Sequence, residues 1–185
     1  MARIPLFPRD DMSPEQRRVY DAVVSGPRGK VEGPLRAALH RPELADKWQQ
    51  FGAALRYGTT LAPRLSELAI LVTARAWDSQ FEWYAHEPPA LKGGVPQAVI
   101  DAIRHGKRPK FDHDDEEAVY DYAAQLNATH FVSDATHKRA TALLGVVGVV
   151  ELTALTGYYS MVAMTLNAHE IPLPPGALPP LPRRR

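Results

Sequence analysis

The 185-residue sequence contains no cysteine. Without a thiol the chain forms no disulfide, offers no thiolate to a metal and cannot run cysteine-based redox or nucleophilic chemistry. The absence also suits a reducing compartment, and the cytoplasm is the expected location. An excess of one charge is missing too: 22 Lys and Arg against 21 Asp and Glu leave a formal net charge of +1. No global field would recruit nucleic acid or a membrane surface, and neither is expected as a partner. The arginine run at 183–185 follows a proline-rich tail and reads as a solvated end.

A secretory leader is not expected either, because MARIPLFPRDDMSPEQ carries prolines and acids where a leader has its apolar stretch. The longest apolar-rich stretch, 143–166, is interrupted by Glu151, two threonines and several glycines, with no basic flank close behind. It reads as a core or subunit-interface helix rather than a membrane span.

Period-two alternation is almost absent, whereas the 3.6-residue period recurs throughout, so the expected class is all-α. Ser13-Pro14-Glu15-Gln16 combines a serine cap, a first-turn proline and a glutamine placed to close a capping box. That helix should stop at Gly26-Pro27. Further helices are expected over 35–40, from Pro42 to about 57 with Gly58 as a left-handed cap, and from Pro63 through LSELAILVTARAW, whose residues 68–72 are all apolar. After a break at Asp78-Ser79 a helix should run towards Gly93-Gly94, kinked or interrupted at Pro88-Pro89. Others follow from Pro96, over 115–127 with acids at its start, from a Ser133 cap, and over 147–168. The result is one domain over 1–185: about eight helices spanning 10–170, then a tail, 170–185, too rich in proline to be helical. The tail would pack across a neighbouring subunit or lie loose.

The chemistry-bearing residues lie between Glu67 and Gly94. Glu82 and His86 are four apart on one helix and share a face. In an antiparallel hairpin Glu67, on the preceding helix, approaches both. A carboxylate beside an imidazole raises the histidine pKa and fixes its tautomer, which suits proton transfer near neutral pH. Each residue also has an ordinary reading: Glu67 as an acid near a helix start, His86 as a structural histidine, Glu82 as a helix-surface glutamate. His40, His105, His113, His130, His137 and His169 show no ligand-like spacing, and the glutamates and His86 do not form a Glu-x-x-His pattern, so no metal is expected.

LSELAILVTARAWDSQFEWYAHEPPALKGGV resembles the carboxymuconolactone decarboxylase family, part of the alkylhydroperoxidase D-like (AhpD-like) superfamily. Proteins of the peroxidase branch carry a glutamate, a Cys-x-x-Cys pair and, after three intervening residues, a histidine. The glutamate falls on Glu67, the cysteines on Ser79 and Glu82, and the histidine on His86, which places this chain with a non-cysteine branch. The resemblance implies an AhpD-like helical bundle and a homo-oligomer, trimer or hexamer. It also implies cofactor-free proton-transfer chemistry of the decarboxylase kind on a small carboxylated lactone or related acid. The namesake reaction converts 4-carboxymuconolactone to an enol-lactone, with the substrate's conjugated carbonyl as electron sink.

On that reading protonated His86 is the acid, oriented by Glu67 or Glu82, with a base role open to Glu82. Arg75, Arg56 or Arg64 would grip the substrate carboxylate, and Tyr57, Trp77, Phe81, Trp83 and Tyr84 would wall the site. Among these, Arg75, Trp83 and Tyr57 are the expected substrate-binding residues. Two other readings stand beside it. One is a family member that binds a small molecule or partner without catalysis. The other is a peroxidase, which Ser79 and Glu82 cannot support for want of a thiolate and a resolving thiol.

Overall fold

A computed structural model describes residues 2–182; the arginine run at 183–185 lies outside the described residues. These residues form α1 (Pro14–Ser25), α2 (Pro34–Ala38), α3 (Pro42–Tyr57), α4 (Pro63–Ala76), α5 (Gln80–Gly93), α6 (Gln97–Arg104), α7 (Asp114–Thr129) and α8 (Asp134–Ala168), preceded by a 3₁₀ turn at Arg9–Asp11. No strand occurs among them. The all-α architecture is therefore the one the periodicity predicts.

Local chemistry sets the helix starts. Ser13 Oγ accepts from the Gln16 backbone N–H while the Gln16 side chain accepts from the Ser13 backbone, closing the capping box. Each of α1 to α4 has proline at its first turn, where the missing N–H leaves no bond unmade.

Helix α4 is the axis of the domain, packed against α5, α6, α7 and α8. Its residues from Leu65 to Ala74 are all buried, so no face is left for water. Burial of Leu65, Leu68, Ile70, Leu71 and Val72 contributes on the order of 10 kcal/mol before chain entropy is counted. Short connectors then fix its neighbours. Asp78, at φ 49°, turns the chain between α4 and α5, making a hairpin of the two helices that carry Glu67, Glu82 and His86.

Three local expectations are corrected. Pro88 and Pro89 do not interrupt α5, because Trp83 and His86 before them and Ala90 after them are all buried and hold both halves in register. The prolines still deny the carbonyls of Tyr84 and Ala85 their usual N–H partners. Gly58 has φ −119° and is no left-handed cap; Gly94, at φ 102°, does that work at the end of α5. The tail to residue 182 lies on its own chain rather than loose: Leu181 is buried, and its backbone N–H and C=O both bond the side chain of Gln80, at 2.9 and 3.1 Å.

Helix α8 changes direction at Gly145 (φ 71°, ψ 171°), which explains why its two halves read as separate helices in the sequence. It is long and apolar enough to cross a membrane by length and composition. One face, including Leu152, Leu155, Tyr159, Val162 and Leu166, enters the core, while Val146, Val147, Val150 and Met164 face outward.

Candidate functional site

The α4–α5 hairpin brings His86 Nδ1 to 2.7 Å from Glu67 Oε2. A carboxylate only accepts, so Nδ1 carries the proton and Nε2 is left with its lone pair. Arg56, from the last turn of α3, lies 3.5 Å from the other Glu67 oxygen. Tyr159 of α8 packs edge-on against the imidazole, with ring centroids 4.8 Å apart. His86 faces a cavity of about 530 Å³, lined also by Arg28, Arg56, Glu82, Tyr158 and Tyr159. Glu67 does not line the cavity; it stands behind His86 and acts through it.

Burial sets the charges. It works against the Glu67 carboxylate, but His86 and Arg56 outweigh it and hold the pKa below the usual range. His86 is pushed down: its burial dominates, Glu67 opposes, and the positive charges of Arg56 and Arg28 add to the depression. Glu82 is pushed well up by burial. It is 1% exposed and neither carboxyl oxygen has a hydrogen-bond partner. Burial thus favours the uncharged form of both His86 and Glu82. The direction for His86 is opposite to the one expected from sequence, because its desolvation exceeds the pull of its carboxylate partner.

The remaining candidates divide. Tyr57 lines the cavity mouth, half exposed, and Phe81 and Tyr84 form part of the wall. Trp83 is not a wall residue. It is fully buried, its Nε1–H donates to Glu87 at 2.8 Å and the Arg104 guanidinium lies over its ring, so it packs the core behind α5. Arg75 does not line this cavity: it pairs with Asp78 and lines a separate depression with Lys107, Tyr120 and Asn127. Arg64 is held by Asp115 and Glu116. Trp77 ends α4, where its carbonyl accepts from Asn167.

Sequence reasoning missed Arg28, Tyr158 and Tyr159. Arg28 comes from the α1–α2 loop, 58 residues before His86, and its Nη2 donates to the Tyr158 hydroxyl at 3.3 Å. The signal for the tyrosines was the adjacent pair Tyr158-Tyr159 in an otherwise aliphatic helix. Ser79, at the other position where the peroxidase branch has cysteine, is fully buried and its hydroxyl has no hydrogen-bond partner.

No protein-family model and no curated protein matches the sequence. Solved structures do. An uncharacterized peroxidase-related protein from Ralstonia eutropha JMP134, described as an alkylhydroperoxidase AhpD core, superposes with a TM-score of 0.75 at 17% identity, over 94% of this chain and 93% of that one. A peroxidase-related protein from Silicibacter sp. TM1040 gives 0.73 at 16% identity, over 92% and 90%. A cysteine-to-alanine variant of the debrominase Bmp8, in complex with 2,3,4-tribromopyrrole, gives 0.74 at 12% identity, over 95% of each chain. Such low identities speak to architecture, and over nine-tenths of its length this chain has the AhpD-like helical fold.

Proposed function

We propose that the protein is a cofactor-free acid–base enzyme acting on a small carboxylated lactone or related acid, with decarboxylation as its reaction. The observation that carries this reading is the meeting, in one cavity, of the buried Glu82 carboxyl and the His86 imidazole beside two guanidinium groups, with burial favouring the uncharged form of each. Titratable groups pushed apart by their surroundings divide naturally into acid and base. In the reaction the bond between carbon and carboxylate breaks, carbon dioxide leaves, and the electron pair passes into the conjugated lactone carbonyl. Glu82 gives its proton to the carbon. Water reprotonates Glu82, with His86 relaying the proton and Glu67 holding the imidazole tautomer.

The peroxidase activity in the names of the structural neighbours is not carried over, since this chain has no thiol to attack a peroxide. A homo-oligomer, trimer or hexamer, is proposed from the outward apolar residues of α8, and a cytoplasmic location from the cysteine-free composition.

The test is carbon dioxide release from small lactones that carry a single carboxylate, with 4-carboxymuconolactone, which carries two, assayed beside them, by wild type, His86→Ala and Glu82→Gln. Turnover that both variants lose is the expected result. Turnover unaffected by either variant would sink the assignment of roles, and no turnover of any lactone would favour a non-catalytic binder.

A further inference from the structure

Charge in a sparsely hydrated cavity has to be answered by a partner or by a ligand. The side chains of acidic and basic residues lining the His86 cavity are Arg28, Lys30, Glu32, Arg56, Glu82 and His86. Lys30 pairs with Glu32 at 2.7 Å at the exposed mouth. Arg56 faces Glu67. Burial favours the uncharged forms of His86 and Glu82. Arg28 is left over: among the described residues its guanidinium donates to the uncharged Tyr158 hydroxyl, and its Nε–H is buried with no acceptor. That N–H is one arm of the fork with which an arginine grips a carboxylate.

The fold makes room for this group. Gly52 of α3 is buried directly beneath it, and a Cβ there would overlap both the Tyr158 hydroxyl and the Arg28 guanidinium. The cavity lining also includes an apolar part, with Phe81, Tyr84, Val162 and Leu166 facing the space.

We propose that the cavity selects a small monocarboxylate with a largely apolar body, and that Arg28, with Arg56 beside it, is the seat of the carboxylate. The inference rests on the cavity being the ligand site of the preceding section, and it adds the charge of the ligand and the residue that reads it. One uncompensated guanidinium answers one negative charge. A second carboxylate on the ligand would have to sit against the apolar wall or near Glu67, and would lose its hydration for no partner.

Calorimetric titration of the whole protein at low salt tests this with three probes of one shape: benzoate, phthalate and benzamide. Benzoate should bind, with benzamide and phthalate weaker by about tenfold or more, the usual worth of a charge-assisted hydrogen bond. Arg28→Met should bring benzoate down to the level of benzamide and leave benzamide unchanged. Arg28→Lys keeps the charge without the fork, so benzoate should weaken severalfold while its preference over benzamide persists. This second variant keeps the test decisive if the methionine variant fails to fold. Equal binding of benzoate and benzamide, phthalate binding as well as benzoate, no binding of any probe, or an Arg28→Met protein with full benzoate affinity would each overturn the proposal. Since heat and not turnover is read, selection of benzoate by a protein inert towards lactones would overturn the enzymatic reading alone. Lactone turnover without monoanion preference would overturn this one alone.

Discussion

His86 Nδ1 donates to Glu67 Oε2 at 2.7 Å, joining, inside the core, two helices that sit next to each other in sequence. The bond fixes which nitrogen keeps its lone pair. Glu67→Gln keeps the volume and loses the anion, so the imidazole can present either tautomer to the cavity. Turnover should fall by roughly 100-fold with KM little changed, the scale on which a misplaced proton-transfer group is felt. Nitrogen chemical shifts of His86 read the tautomer directly, and a variant with unchanged shifts would contradict the positioning role.

Glu82 links stability to pH. Its folded pKa lies well above the usual 4.5, so between 4.5 and the folded value the unfolded chain is ionised while the native protein holds its proton. Over that window stability falls as pH rises, by about 1.4 kcal/mol per unit. Glu82→Gln removes this slope. Its stability relative to wild type should climb steadily from pH 4.5 upward, as measured by urea unfolding at matched pH values. A constant difference would mean that Glu82 is ionised in the folded protein. His86 acts on the acid side, in both proteins alike. Its folded pKa is below the usual 6.5, so stability is lost as pH falls from 6.5 through the folded value.

Gly52 and Gly157 are both interior to helices and should respond oppositely to alanine. An added Cβ at Gly157 meets nothing within 4 Å, and Gly157→Ala should stabilise by about 0.5–1 kcal/mol through reduced chain entropy. At Gly52 the same gain is outweighed by overlap with Tyr158 and Arg28, and a net loss of about 1–3 kcal/mol is expected. Thermal unfolding of the two variants checks both signs, and a stabilised Gly52→Ala would show that the Arg28–Tyr158 pair gives way cheaply.

Val146, Val147 and Val150 lie on one outward strip of α8 and are 70%, 61% and 62% exposed. If copies of the chain bury this strip, a charge in its middle should dissociate them. Val150→Glu is expected to lower the particle mass measured by light scattering without loss of helical circular dichroism. An unchanged mass would place the contact elsewhere.

The sequence by itself determined the class of fold, most helix boundaries and the hairpin that carries Glu67, Glu82 and His86. Those features depend on periodicity, first-turn prolines and spacing within about 30 residues, and local chemistry decides them. The proline pair in α5 shows where local rules fail, because burial on both sides of Pro88-Pro89 outweighs two missing hydrogen bonds. Tertiary structure alone decided which cations face the cavity. Arg75 lies closer in sequence to His86 than Arg28 does, yet it pairs with Asp78 on another surface while Arg28 arrives from the α1–α2 loop. It also decided the protonation of the site. Residue types placed a carboxylate beside a histidine and so implied a raised pKa, but the depth of burial inverted the sign for His86 and pushed Glu82 up. Desolvation is a property of everything packed around a group, and no stretch of sequence short enough to read as a motif contains it.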